Sequence, residues 1–462
     1  MQTGLRLTLV CVLGVCAAQG ASSDDTTPGL VAIVGGEVRT GLGPAMRDAT
    51  VLLRDGRIEA VGEGVVIPPG ARILDVKGAI VTPGFVDADG ALPLPESERF
   101  GARWGLDLRA ADAIVRDDPR LATARRQGVT AFLVTGDARG NFGGTAALVV
   151  TASPAEVLPG EAPLVVTLST ADLSGGVWGA QRLAEVRGTY VEARDRRETL
   201  ARWRRDVQRY EDKRAADAPI AIERLLLPPE LLEQMASWTP ERRAAWREAA
   251  LKSAGREKDW TKSKDLAKPP ARPGADPNLD LVLTTMNGAA GRRTFLRAQS
   301  GAAVAAALEL AREFDLLPTI AGGEGLAEHA AELVRRKIPV VVNEVADTAL
   351  RTEGPLAGRG PGLAARLVAA GLHPALGSGG NGGGSRFLRL LAAQEIGAGL
   401  DPEDALRAVT SWAAEAAGAA DRVGAISAGR RGDVVVWDGD PFAAATKPRF
   451  VFVGGAIVEG EK

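Results

Sequence analysis

The amino-acid sequence predicts an α/β protein in which a barrel of parallel strands lies between two β-rich chain ends. Short alternating apolar segments fill residues 30–82 and return near the C-terminus. Between them, apolar strand-like runs alternate with helical ones, which is the pattern of a parallel barrel. We therefore expect the two ends to form one composite β-sandwich and the middle of the chain to form the barrel.

Residues 1–21 have the pattern of a secretory signal peptide. Arg6 precedes an apolar stretch that ends at Val15 and is too short to span a bilayer. The alternative interpretation is a first buried helix. Both cysteines, Cys11 and Cys16, lie in this segment, and Val15 stands where a lipid-anchored cysteine needs a small residue before it. We expect an exported, soluble protein, secreted or periplasmic, without a lipid anchor at Cys16.

Composition excludes several classes of partner. The chain has 462 residues, 45% of them apolar, and a net charge of −2. This length is sufficient for a large domain and a smaller one. A nearly balanced charge gives no basis for a nucleic-acid partner or an anionic membrane surface, and no further apolar run is long enough to span a membrane.

The two β-rich ends share the same kind of pattern. In residues 22–82, Asp55-Gly56 separates two alternating segments, as in a β-hairpin. In residues 427–462, the segments GRRGDVVVWDGDP and PRFVFVGGAIVEG repeat the alternation. We assign these two ranges to the N-terminal and C-terminal parts of the sandwich.

Residues 83–426 form the predicted barrel, with a charged helical insertion at 181–280. The insertion mixes Lys and Arg with Asp and Glu and ends in a Pro-rich run at 268–278 that we interpret as a flexible linker. Two interpretations of the insertion stay open, a solvated helical addition on the barrel rim and a lid that binds a partner.

The most informative stretch is residues 81–90, with the sequence VTPGFVDADG. A Pro83-Gly84 turn leads into a short apolar strand that ends in Asp87 and Asp89. Because side chains alternate along a strand, these two carboxylates face the same side.

This stretch resembles the entry to the first barrel strand of the amidohydrolase superfamily, V-x-P-G-[FL]-[IV]-D-x-H-x-H. The segment GDVVVWDGDPF is similar to the terminal phrase of the same family. The resemblance covers both chain ends and most of the middle, and several segments are similar to the secreted, imidazolonepropionase-like branch. It implies a TIM-like (β/α)8 barrel with a composite β-sandwich.

The resemblance also implies a divalent metal that activates water, held by histidines at strand ends, and an Asp on the last strand that shuttles the proton. In this chain the corresponding positions have degenerated, and only one of them holds a carboxylate. These positions are Asp89, Ala91, Arg297, Gln299, Ala321 and Gly379. We therefore predict no catalytic residue, no metal and no other cofactor.

Polar residues near the predicted strand ends can still line a ligand pocket. We place in it Asp87, Asp89, Asn141, Arg297, Gln299, Glu324, Asn343 and Glu344. Oxygen ligands of this kind also suit Ca²⁺ or Mg²⁺, which is the alternative to a metal-free pocket. The chain has two histidines, His329 and His373, and their positions predict structural or surface roles. The Gly-rich run at 377–385 is either a loop or an anion cradle.

Three functional hypotheses follow. The first is a pseudoenzyme whose barrel binds a ligand or a partner, with Arg297 favouring a small anionic ligand. The second is a hydrolase of non-peptide or cyclic amide C–N bonds that uses an unusual metal site or none. The third is a structural subunit paired with an active homologue, so that homo- and hetero-oligomers both stay open. The sequence favours the first hypothesis, because the frame of the family persists while its metal ligands do not.

A chain truncated at about Ala428 should lose more structure than its tail, because the N-terminal strands would lose their partner sheet. Amide hydrogen exchange of residues 30–82 measures this loss. Unchanged protection of those strands in the truncated chain would contradict the composite sandwich.

Overall fold

The computed structural model describes residues 29–90, 92, 94, 105–136, 141–168, 176–226, 235, 237–253, 269–343, 362–379 and 384–460. These residues form a mixed α/β fold, as predicted. The predicted signal peptide, with Cys11 and Cys16, lies outside them. Within the described residues no helix combines the length and the apolar character needed to cross a bilayer.

The strands, in chain order, are β1 (Leu30–Val38), β2 (Met46–Arg54), β3 (Arg57–Gly62), β4 (Arg72–Asp75), β5 (Ile80–Pro83), β6 (Phe85–Gly90), β7 (Val129–Val134), β8 (Phe142–Thr145), β9 (Ala147–Val150), β10 (Glu156–Val157), β11 (Leu164–Thr167), β12 (Arg293–Arg297), β13 (Leu317–Gly322), β14 (Val340–Val342), β15 (Pro374–Leu376), β16 (Val434–Trp437), β17 (Pro448–Val453) and β18 (Ala456–Gly460).

The α-helices are α1 (Arg120–Arg125), α2 (Gly176–Leu226), α3 (Pro240–Ser253), α4 (Pro277–Thr284), α5 (Gly301–Glu313), α6 (Gly325–Glu328), α7 (Ala330–Arg335), α8 (Leu363–Ala369), α9 (Leu388–Gly397), α10 (Pro402–Ala408) and α11 (Ser411–Ala416). Short 3-10 helices lie at Ala110–Ala113, Gly288–Ala290 and Gly384–Phe387.

Strands from both chain ends lie in one eight-stranded sheet. Its order is β18-β17-β16-β5-β1-β2-β3, and β4 pairs with β1. The junction is the antiparallel pair of β16 and β5, in which Val434 lies opposite Pro83. Trp437 strengthens it by donating a hydrogen bond from Nε1 to Thr82 Oγ1 at 2.9 Å. The domain boundaries proposed from the sequence stay a prediction.

The parallel strands lie in two further sheets. One has the order β10-β9-β7-β6, and the other has the order β15-β14-β13-β12-β11-β8. Ladder hydrogen bonds do not join these two sheets in the described part of the chain, so a closed barrel stays a prediction. At the ends of β6 and β15 the backbones nevertheless approach closely, since a Cβ on Gly377 would lie 2.9 Å from the Cβ of Asp89.

Aromatic packing anchors the start of β6 and thereby positions the carboxylates that follow it. Phe85 stacks on Trp437 with ring centroids 5.4 Å apart and on Phe442 at 6.0 Å. All of the β6 residues are buried. The C-terminal segment therefore contributes to the core beneath the candidate site.

A buried carboxylate takes the place of an ordinary cap on α8. Glu395 of α9 is fully buried and accepts hydrogen bonds from the backbone N–H groups of Gly362 (3.0 Å) and Ala364 (2.9 Å). Helix N-termini leave such N–H groups without partners and favour negative charge. Glu395 thus fixes the position of α8 beside β15.

The predicted insertion is dominated by α2, a single helix of 51 residues. At 1.5 Å per residue it is about 76 Å long. Tyr190 packs into the body of the protein, stacking on Phe314 with ring centroids 5.1 Å apart. Arg196 of α2 makes two hydrogen bonds to the carboxylate of Asp280, at 2.6 and 2.9 Å.

The end of the Pro-rich run is more constrained than the flexible linker that the sequence predicts. Trp203 Nε1 donates to the Pro270 carbonyl at 3.2 Å, and Arg196 Nη1 donates to the Gly274 carbonyl at 2.9 Å. Asp276 then caps α4 by accepting from Leu279 N. These carbonyls have no ladder or helix partner, so side chains of α2 satisfy them. Residue 268 of the run lies outside the described residues.

Asp433, which directly precedes β16, is a buried carboxyl group with a raised pKa. Its Oδ1 accepts from Gly454 N at 2.7 Å and from Arg431 Nε at 3.2 Å. Burial disfavours the charged form and raises the pKa of Asp433 to about 6, despite the nearby Arg431. The folded protein therefore holds this proton at pH values where the unfolded chain has lost it.

This difference predicts that Asp433 contributes less to stability as pH rises through about 6. The variant Asp433→Asn keeps an acceptor at Oδ1 and removes the ionisation. Between pH 5 and pH 7.5 its free energy of unfolding, relative to the wild type, should rise by about 1–1.5 kcal/mol. Urea unfolding at the two pH values measures this change. Asp421→Asn, at an exposed aspartate, is the control, and an equal pH effect in both variants would contradict the assignment.

Candidate functional site

Two buried carboxylates lie at the carboxyl end of β6. Asp87 and Asp89 are both fully buried, and Asp89 N donates to Asp87 Oδ1 at 3.2 Å. The register between β6 and β7 shifts between Asp87 and Gly90, so the strand is irregular at this point. The carboxyl ends of the parallel strands bring polar side chains from β7, β12, β14 and β15 to the same place. We take this group of residues as the candidate site.

Asp89 is the centre of the site and uses both of its carboxylate oxygens. Oδ1 accepts from Thr135 Oγ1 at 2.5 Å and from Arg297 Nη2 at 2.7 Å. Oδ2 accepts from Asn343 Nδ2 at 2.9 Å. Thr135 follows β7, Arg297 ends β12 and Asn343 follows β14, so three strand ends converge on one carboxylate.

Arg297 forms a buried ion pair with Asp89. The side chains of Arg297 and Asp89 are 6% and 0% exposed. The guanidinium also donates to Thr135 Oγ1 at 2.6 Å and to the Gly136 carbonyl at 3.3 and 3.4 Å. Its positive charge is therefore offset inside the protein and hardly faces solvent.

Asp87 holds the segment that follows β15. Its Oδ1 accepts from Ser378 N at 2.9 Å, and its Oδ2 accepts from Ser378 Oγ at 2.6 Å. Gly377 must be a glycine here, because a Cβ would lie 3.0 Å from the backbone N of Asp89. Gly379 has φ +71°, the left-handed conformation that favours glycine. Gly379, which stands where the resemblance places the catalytic Asp, thus has a backbone conformation that favours glycine.

Gln299 extends the site by donating from Nε2 to Asn343 Oδ1 at 3.0 Å. Ala321 lies opposite Arg297 in the β12–β13 ladder and is fully buried. The structure thus brings together five residues of the predicted pocket, Asp87, Asp89, Arg297, Gln299 and Asn343.

Two other residues of the predicted pocket, Glu324 and Asn141, contact side chains outside this group. Glu324 accepts from both terminal nitrogens of Arg366, at 3.0 and 2.5 Å, and this pair is partly exposed. Asn141 donates from Nδ2 to Glu185 at the start of α2. Ala91 and Glu344 lie outside the described residues.

Sequence reasoning missed Thr135 and Gly136. Thr135 donates to Asp89 and accepts from Arg297, so it closes a three-membered hydrogen-bonded ring. Its position directly after an apolar strand is the signal that could have identified it.

Both histidines have structural contacts. His329 Nε2 lies 2.9 Å from the Gly301 carbonyl oxygen. His373 stacks on Trp412 with ring centroids 4.8 Å apart and an interplanar angle of 4°. Neither contact involves the Asp89–Arg297 pair.

The residues at the site do not fit the divalent metal that the resemblance implies. A cation bound to Asp89 would face the Arg297 guanidinium, whose Nη2 lies 2.7 Å from the same carboxylate. Catalytic zinc needs about three protein ligands. In the described parts of the chain, no group of three or more His, Cys, Asp or Glu residues is arranged to hold a metal.

Comparison with known proteins gives a consistent picture of the fold. Residues 302–459 match the Amidohydrolase family. An amidohydrolase from Thermotoga maritima MSB8 superimposes with a TM-score of 0.66 at 19% identity, over 93% of this chain and 100% of that one. A prolidase complexed with N-methylphosphonate-L-proline gives a TM-score of 0.50 at 17% identity, over 94% and 100% of the two chains. At these identities the likeness shows the fold alone.

A curated relative matches over a short region. An N-acyl-D-glutamate deacylase from Alcaligenes xylosoxydans xylosoxydans is 43% identical over 72 residues. The matched region covers 16% of this chain and 14% of the deacylase. The chain thus spans about a seventh of the length of the curated relative it matches.

Breaking the buried ion pair should be strongly destabilising. Asp89→Ala leaves the Arg297 charge buried without its carboxylate, and such a change costs about 3–5 kcal/mol. The double variant Asp89→Ala/Arg297→Met should cost clearly less than the sum of the two single variants, as measured by urea unfolding.

The exposed pair of Arg54 and Glu59 is the control, since its side chains are 41% and 40% exposed. The same cycle with Glu59→Ala and Arg54→Met should give a coupling energy of no more than about 1 kcal/mol. An equal or smaller coupling energy for Asp89 and Arg297 would contradict the assigned role of the buried pair.

Proposed function

We propose that this protein is an exported pseudoenzyme, a TIM-like (β/α)8 barrel with a composite β-sandwich that has lost metal-dependent hydrolysis and acts by binding. The observation that carries the proposal is the buried ion pair between Asp89 and Arg297. It lies at strand ends where the family resemblance places a metal clamp. A guanidinium carries a fixed positive charge and cannot give up a proton to coordinate a cation.

The hydrogen bonds around the pair support the loss of metal binding. Each oxygen of Asp89 already accepts from a neighbouring side chain, and Oδ1 accepts twice. Asp87 is engaged by the backbone and the side chain of Ser378. A metal would have to replace several charge-assisted hydrogen bonds in a buried place, where their loss is costly.

The site also lacks a general base at the position where the resemblance places one. Gly379 stands where the resemblance places the proton-shuttling Asp. The Ser378 hydroxyl donates to the Asp87 carboxylate at 2.6 Å, and its Oγ also lies 3.3 Å from the Asp89 carbonyl. We interpret this serine as an anchor for the segment after β15 rather than as a nucleophile.

The ion pair argues against the small anionic ligand that the sequence predicts at this end of the strands. A small anionic ligand there would depend on a free positive charge on Arg297, and Asp89 offsets that charge. We therefore favour binding through surfaces outside the Asp89–Arg297 pair. An oligomer with the same chain or with an active homologue fits this proposal.

The alternative is a hydrolase that acts on an amide C–N bond through an unusual site. The Amidohydrolase family match and the deacylase match favour it. The contacts of Asp87, Asp89 and Arg297 argue against this alternative, because these side chains are engaged by neighbouring groups of the protein. We keep the pseudoenzyme as the main proposal.

After dialysis against zinc, the purified mature protein should retain far less than one equivalent of metal, because Arg297 opposes a cation at Asp89. It should not hydrolyse N-acyl amino acids, dipeptides or cyclic amides. Elemental analysis and a turnover assay with and without a chelator measure both properties. Arg297→His should not restore hydrolysis, since the other ligands and the base would still be absent.

The surface variant Arg366→His is the control for adventitious zinc binding by an added histidine. About one equivalent of tightly held metal in the wild type, together with chelator-sensitive turnover, would overturn the proposal.

A further inference from the structure

A cleft of about 580 Å³ lies at the opposite end of β15 from the ion pair. His373, which lines the cleft, immediately precedes β15, whereas Gly377 and Ser378, which contact Asp89 and Asp87, follow it. The strand therefore separates the two places. The cleft at the His373 end of β15 has no part in the proposed loss of hydrolysis.

The walls of the cleft come from distant parts of the chain and are fixed to one another. Gly41 and Leu42 follow β1, and Ser411 and Trp412 begin α11. Ser411 Oγ donates to the Gly41 carbonyl at 2.8 Å, which ties these two walls together. The segment after β1 is thus fixed against the start of α11.

One part of the cleft presents a planar ring and an apolar side chain. The His373 ring lies parallel to the buried Trp412 ring, 4.8 Å away, and His373 itself is exposed. The Leu42 side chain lines the same cleft and is 54% exposed. A planar group on a ligand can extend this stack, because offset aromatic stacking is favourable beyond simple burial.

The charges of the cleft leave one positive group available. Asp404 and Arg407 offset each other, with Arg407 Nη1 2.6 Å from the Asp404 carboxylate. Arg430 is half-buried, and its guanidinium makes no hydrogen bond or close ion pair with the described residues. The carboxylate of the exposed Asp421 is near enough to favour the charged form of Arg430. Glu415 also lines the cleft but is exposed, so that water screens its charge.

We propose that this cleft binds a small carboxylate that carries a planar apolar group. The carboxylate pairs with the fork of Arg430, a geometry that suits two parallel hydrogen bonds. The planar group lies against His373 and Leu42. This inference goes beyond the proposed function, because it needs neither a metal nor the Asp89–Arg297 pair.

The two histidines of the chain provide a direct test. In the full mature protein labelled at histidine, titration with benzoate should shift the ring resonances of His373 and leave those of His329 unchanged. Binding should saturate in the range of about millimolar benzoate, as expected for a ligand of this size. Benzamide, which lacks the charge, and cyclohexanecarboxylate, which lacks the planar ring, should bind more weakly.

Arg430→Gln should weaken benzoate binding by roughly tenfold or more, because it removes a charged hydrogen-bonding partner. Arg312→Gln, at an exposed arginine of α5, is the matched control and should leave binding unchanged. Leu42→Ser should weaken binding without touching any charge. Equal shifts of both histidines, no saturable shift of His373, or unchanged affinity in folded Arg430→Gln would overturn the proposal.

Discussion

The ion pair between Asp89 and Arg297 is the interaction on which the centre of this protein depends. Desolvating two charges is costly, so such a pair persists only when good geometry and further hydrogen bonds compensate for the loss of water. Thr135, Gly136 and Asn343 supply them here. The ends of β6, β7, β12 and β14 are thereby held together by polar contacts. One buried carboxylate thus links residues from four strand ends.

The second buried carboxylate, Asp87, constrains the turn after β15. With Asp87 engaged by Ser378, the chain after β15 lies close enough to β6 that only glycine fits at position 377. The left-handed backbone at Gly379 continues the same turn. The buried carboxylates and the turn after β15 therefore form one packed polar cluster, in which each carboxylate is engaged by neighbouring protein groups.

Local sequence patterns predicted which residues lie at the site better than they predicted which side chains those residues contact. The alternation along β6 placed Asp87 and Asp89 on one face, and the apolar runs located the strands. The contacts of Arg297 depend on residues as far as 208 positions away, and no local pattern encodes that distance. For the same reason Glu324 was expected in the pocket but pairs with Arg366. The composition of the Pro-rich run predicted a flexible linker, whereas Trp203 and Arg196 donate hydrogen bonds to two of its carbonyls.

The sheet that unites the chain ends sets the order in which this protein can fold. Trp437 and Thr82 are 355 residues apart, yet their side chains meet at the junction of β16 and β5. Strand β5 pairs with β1 on one side, but its other neighbour, β16, exists only after almost the whole chain has been made, and such long-range pairing is slow to form. Until then it exposes an unpaired edge, which is a template for association with other chains. Synthesis of the last strands completes both the sheet and its protection.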